Sequence, residues 1–186
     1  MSTPETAAFE DEFTREFMKS TKEVEDGYYL FESKTDGYTM WFPVNATLNK
    51  GLYYRQKEYR ESVGFSEKYD ENNSSFSSHI RYEKRKITER IDANLSLVSS
   101  YVGYEGEYEE FNHDNKTYYY ATDVDHVSDS YIVYSFFSYI KSDDSHQGIS
   151  VIYDVTCKAA DIGCDIDLEK EEEKALTLMK SFEFND

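Results

Sequence analysis

The sequence predicts an α+β sandwich, with a mostly antiparallel β-sheet covered by helices. Three observations predict it. Aromatics make up 17% of the 186 residues, with 18 Tyr and 12 Phe against one Trp, and such residues suit half-buried pleated surfaces. Runs of them are separated mostly by short polar turns, which is how antiparallel neighbours are joined. Three stretches, at the start, middle and end of the chain, switch to helical spacing.

The elements follow in order. Residues 4–23 are expected to form a helix, because Pro4 suits a first turn and Phe9, Phe13 and Phe17 recur on one face. Its narrow apolar stripe and acidic start mark residues 1–26 as an N-terminal acidic helix or tether. A single α+β domain is expected over residues 27–186. "GYYLFES" and "YTMWFPV" flank "KTDG", a hairpin with Asp36-Gly37 in the turn, and Pro43 should end its second strand. "GLYYRQKEY" comes next, and "VGFSEKY" and "FSSHIRYEK" read as a pair around the polar turn "DENNSS".

Over residues 86–102 the period changes. Ile87, Ile91, Leu95, Val98 and Val102 fall on one face of an amphipathic helix. "EYEEFNH", a turn at Asp114-Asn115, "TYYYATDV", "SYIVYSFFSYI", the turn "KSDDSHQG" and "ISVIYDVTC" then read as a meander. Asp167 should cap the last helix, with Glu169, Glu171, Glu172 and Glu173 where the helix dipole favours anions. Leu168, Ala175, Leu176 and Met179 supply its apolar face, and "SFEF" adds a short closing strand.

Charge limits the partners. With 38 acidic and 20 basic side chains the formal net charge is −18, so nucleic acid and anionic lipid head groups are repelled over most of the surface. The chain has no run of about 18 apolar residues that could span a membrane as a helix. "MSTPETAAFEDEF" has neither a basic nor an apolar leader region, so it does not read as a signal peptide.

Cys157 and Cys164, the two cysteines, admit three readings: a metal site, two buried thiols, or a disulfide. The C-x₆-C spacing with no second pair is not that of a zinc or redox motif, and a disulfide between strand and last helix is the preferred reading. Such a bridge implies an oxidising compartment. In "DIGCDID", Asp161, Asp165 and Asp167 lack the register of a calcium loop.

"RYEKRKITER" concentrates Arg81, Lys84, Arg85, Lys86 and Arg90, a candidate interaction patch. It could dock the acidic segment 10–16 or an acidic partner, or form ordinary ion pairs with Glu83 and Glu89. "DVDH" places Asp123 and Asp125 on one side of a strand and His126 on the other. His79, His113, His126 and His146 show no metal-binding spacing, and no nucleophile-elbow or phosphate-loop motif is present. No catalytic residue, cofactor site or metal site is therefore assigned.

"DGYTMWFPVNA" (Asp36 to Ala46) resembles the hairpin near the start of PsbP-like domains, and the helix running into "MKSFEF" (Met179 to Phe184) is similar to the family's closing helix and strand. The resemblance covers residues 27–184. It implies a three-layer sandwich with a central, mostly antiparallel sheet, and a protein that binds partners without doing chemistry. The Tyr- and Lys/Glu-rich style is also similar to extracytoplasmic lipoproteins of low-GC Gram-positive bacteria. That resemblance implies a lipobox cysteine ahead of Met1 and membrane contact only through that N-terminal lipid anchor. The partner would be a protein or another envelope component, with no nucleic acid and no cofactor. Two alternatives stand beside this reading: a cytosolic chaperone or adaptor of the same fold, and a carboxylate-dependent hydrolase using Asp123, Asp125 or His126.

Overall fold

A computed structural model of the chain describes residues 2–69, 73–158 and 163–185, and its strands sort into two sheets. The small sheet has the order β1 (Tyr28–Glu32), β2 (Tyr38–Pro43) and β11 (Glu183–Phe184). The large sheet runs β3 (Thr47–Leu48), β5 (Arg60–Tyr69), β6 (Ser74–Lys84), β10 (Gln147–Cys157), β9 (Tyr131–Ser142), β8 (Lys116–Ser128), β7 (Glu109–His113). A short strand, β4 (Tyr54–Gln56), pairs separately with β5. Every described pairing is antiparallel, which the tight turns require of the strands they join. Asp114 and Asn115 both take positive φ, the backbone a two-residue hairpin needs.

One long connection sets the architecture. After β6 the chain crosses the sheet through α3 (Ile91–Val102) to the far edge at β7, then returns strand by strand until β10 lies beside β6. α3 thus lies on one face, where buried Val98 clusters with Ala121 and Phe137. It ends at Gly103, whose positive φ lets its N–H reach Ser99 O at 2.8 Å. The small sheet and α4 (Leu168–Lys180) cover the opposite face. The result is a sandwich of α3, the large sheet, and the small sheet with α4.

Rings fill the main core. Phe76 stacks on Tyr153 with centroids 4.9 Å apart, and Phe42 meets Phe65 at 4.8 Å. Each such ring contributes roughly 1.5–3 kcal/mol by leaving water. Strand alternation explains the selection: Val151, Tyr153 and Val155 face this core, while Ile152 and Asp154 point to the α3 side.

The long N-terminal helix expected over residues 4–23 is not formed. Two single-turn helices take its place, α1 (Ala7–Glu10) and α2 (Glu12–Arg15). Asp11 breaks the helix: its backbone is extended, and its carboxylate accepts from Thr14 N at 2.9 Å, capping a new turn. Ala8, Phe9 and Phe17 are buried in the main core, and Phe17 stacks on Phe31 at 5.1 Å. The central helix is likewise shorter than 86–102, because Lys86–Glu89 form a 3₁₀ turn before α3.

Asp167 caps α4 by accepting from Lys170 N at 3.3 Å, and "SFEF" adds β11 to the edge of β2. Cys157 and Cys164 form a disulfide with Cα atoms 5.8 Å apart. Asp161 lies outside the described residues.

Candidate binding cleft

Register places three rows of five residues across the α3 face of the large sheet. The middle row reads Ala121, Phe137, Ile152, His79, Gly64 from β8 to β5. One step toward β6's C-terminal end lies Tyr119, Tyr139, Ser150, Arg81, Ser62. One step the other way lies Asp123, Ser135, Asp154, Ser77, Ser66. α3 covers the β8–β9 half of the middle row and leaves the β5–β6 half open.

The 3₁₀ turn Lys50–Leu52 and β4 rise on the open side. Leu52 lies directly on Gly64: a Cβ there would stand 2.8 Å from Leu52 Cδ1, so the glycine is what admits the side chain. Between this wall and α3 is a cleft of about 330 Å³, floored by His79, Ser150 and Ile152. That volume is in the range of small-molecule sites, about 300–1,000 Å³. Four large side chains at its rim are about half exposed, namely Leu52 (49%), Tyr54 (50%), Leu97 (44%) and Tyr101 (59%). So much apolar surface around one concavity is more than scattered surface residues supply.

The ends of the cleft differ in charge. At one end the Arg81 guanidinium sits 5.0 Å from the Tyr101 ring centroid and donates to the Tyr101 hydroxyl. At the other the cleft opens into a polar extension of about 530 Å³ lined by Asp123, Asp125 and Asp154. Ser135 Oγ donates to Asp154 Oδ1 at 2.6 Å. Burial pushes the Asp154 carboxyl above the usual carboxylate range, against that hydrogen bond. Burial first, and the Arg81 charge second, lower the pKa of His79, so its imidazole is neutral at pH 7.

The other candidate residues are dispersed. Asp123 and Asp125 share the cleft face of β8, but His126 projects from the opposite face. Among the described residues no hydrogen bond joins His79 to any of the three aspartates, and no group of three or more His, Cys, Asp or Glu could hold a metal. His113 pairs with Asp114 at 3.2 Å and His146 with Glu89 at 2.9 Å.

The basic island is divided between two places, because β6 ends at Lys84 and the later residues lie beyond it. Arg81 faces the cleft, whereas Arg85 pairs with Glu83 and lies 4.3 Å from the Tyr59 ring centroid. Lys84, Arg85 and Lys86 rim a shallow bowl with Lys141 and His146, where Glu89 and Asp144 supply opposite charge. Arg90 precedes α3 at its N-cap. The acidic N-terminal segment does not dock on these residues through Glu16, which bonds Lys34 at 2.8 Å instead.

Residues 4–183 match the family model described as "Putative lipoprotein YvcA". The chain belongs to the YvcA family. A protein of Bacillus subtilis (strain 168) that bears the same description is 34% identical over 188 residues, covering 97% of this chain and 78% of its own length. The matched span takes in α1 and α2, so in this YvcA-family chain the N-terminal segment is part of what is shared.

Sequence reasoning missed Leu52, His79 and Tyr101 as cleft residues. A signal for the floor was present: Ser62-x-Gly64-x-Ser66 and Ser75-x-Ser77-x-His79-x-Arg81 alternate small or polar residues with core residues. Such alternation marks a sheet face that is only partly covered.

Proposed function

We propose that this chain is a non-catalytic binding domain, held outside the cell membrane by an N-terminal lipid anchor, that engages an envelope component at the cleft between α3 and the β4 wall. The observation that carries the binding reading is the cleft itself, with four half-exposed apolar side chains around a polar floor. The relative's description as a lipoprotein supports the location. So does the Cys157–Cys164 disulfide, since such bonds persist in oxidising compartments. A PsbP-like kinship belongs to the same proposal, supported by the order of hairpin, crossing helix, meander, final helix and closing strand.

In-cell photocrosslinking tests the binding face. A benzoylphenylalanine in place of Leu97, at the cleft rim, should form a discrete adduct whose mass identifies the component. The same residue in place of Leu168, on α4 and comparably exposed, should not. Equal labelling at both positions, or none at position 97, contradicts the reading.

A further inference from the structure

Arg81 is the exception in a chain of net charge −18. Its side chain is half-buried at the cleft end, and none of the described salt bridges involves it. A guanidinium carries five N–H donors and stays charged, and one contact here is accounted for, the Tyr101 hydroxyl. Its cross-strand neighbours are Ser62 and Ser150, which are neutral. A partly desolvated cation without a counter-charge is costly unless something completes it.

The surroundings specify what that something is. Next to Arg81 the cleft is apolar, with Leu97, Val98 and Ile152 on the α3 side and Leu52 and Tyr54 opposite. At the far end Asp123, Asp125 and Asp154 repel negative charge. We propose that the cleft binds an amphiphilic monoanion, with its carboxylate or similar head group on Arg81 and its apolar body along Ile152 between Leu97 and Leu52. The acidic extension sets the orientation: the head group cannot lie at that end, so the tail points toward it. Neutral His79 on the floor adds a hydrogen-bonding group without a second charge. This inference rests on the binding reading above and names the class of ligand for the same cleft.

Decanoate and decan-1-ol separate the head-group term from the apolar term. Titrated into the isotopically labelled protein and followed by NMR, decanoate should shift resonances of Leu52, Leu97, Tyr101 and Ile152. It should bind about tenfold tighter than decan-1-ol, the discrimination expected of one charge-assisted contact. Arg81→Gln should abolish that preference. Arg81 also holds the Tyr101 wall, so a second variant is needed. Ser150→Glu places a carboxylate beside an intact Arg81 and should abolish the preference too. Retention of the preference in both variants, shifts confined to other surfaces, or no binding of decanoate would each overturn the proposal. A position-97 crosslink to a protein, with no decanoate binding, would leave the binding face standing and remove only the ligand class.

Discussion

The Tyr38 hydroxyl donates to Glu61 Oε1 at 2.8 Å inside the core, and Glu61 is wholly buried. Three more donors converge on the same carboxylate: Ser33 Oγ at 2.9 Å, Lys34 N at 3.1 Å and Tyr53 Oη at 2.8 Å. A carboxylate acceptor thereby ties the β1–β2 turn of the small sheet to β5 of the large one. Burial, then the Glu61 charge, raises the pKa of both tyrosines, so both remain hydroxyl donors. Glu61→Ala removes the shared acceptor of four donors and should cost roughly 3–5 kcal/mol in urea unfolding. Glu61→Gln keeps one acceptor oxygen and should cost less. Equal, small losses would show that the network does not join the sheets.

Gln147 is a second such tie. Its Nε2 lies 3.1 Å from Gly37 O, 2.9 Å from Tyr82 Oη and 2.8 Å from Asn185 O, linking the hairpin turn, β6 and the C-terminus. Gln147→Ala should cost roughly 2–3 kcal/mol in the same assay and free the last residues for faster amide exchange. Wild-type exchange at Asn185 would contradict this.

The disulfide should stabilise without specifying the fold. By the chain-entropy estimate, closing its eight-residue loop is worth roughly 2–3 kcal/mol. Reduced protein, or a double Cys157→Ser/Cys164→Ser variant, should unfold at lower urea concentration yet keep the near-ultraviolet spectrum of the folded state. The pairing of β10 with β6 and β9 runs along its whole length and does not pass through the bridge.

Asp154 gives a pH-dependent prediction. Its folded-state pKa is raised by burial, so the folded protein holds this proton more tightly than the unfolded chain. The associated stability is present below the unfolded pKa and is lost as pH rises through the folded value. Asp154→Asn should therefore unfold at higher urea concentration than wild type at pH 7, and the gain should vanish near pH 4. A variant less stable at pH 7 would mean that the ionised carboxylate is stabilised by groups other than Ser135.

Local physics made part of this legible in the sequence. Asp114-Asn115 demands a tight turn, Asp167 with its following glutamates demands a helix start, and both are where the sequence places them. The N-terminal helix misled because the Phe spacing is satisfied equally by two short turns, and Asp11 favours the cap over the helix interior. Gln147 read as part of a polar turn because its partners lie at Gly37, Tyr82 and Asn185, far away in sequence. The cleft was hidden for the same reason. His79 and Ile152 become neighbours only when β10 is laid beside β6, a pairing that depends on the α3 crossing.

Protease accessibility on intact cells tests the central claim most directly. The protein, expressed in a Gram-positive host from its native gene, should fractionate with membranes, and protease added to intact protoplasts should degrade it. A cytosolic marker must survive the same treatment. Protection of the protein until the protoplasts are lysed, or its recovery in the soluble cytosolic fraction, would contradict an extracytoplasmic tethered domain.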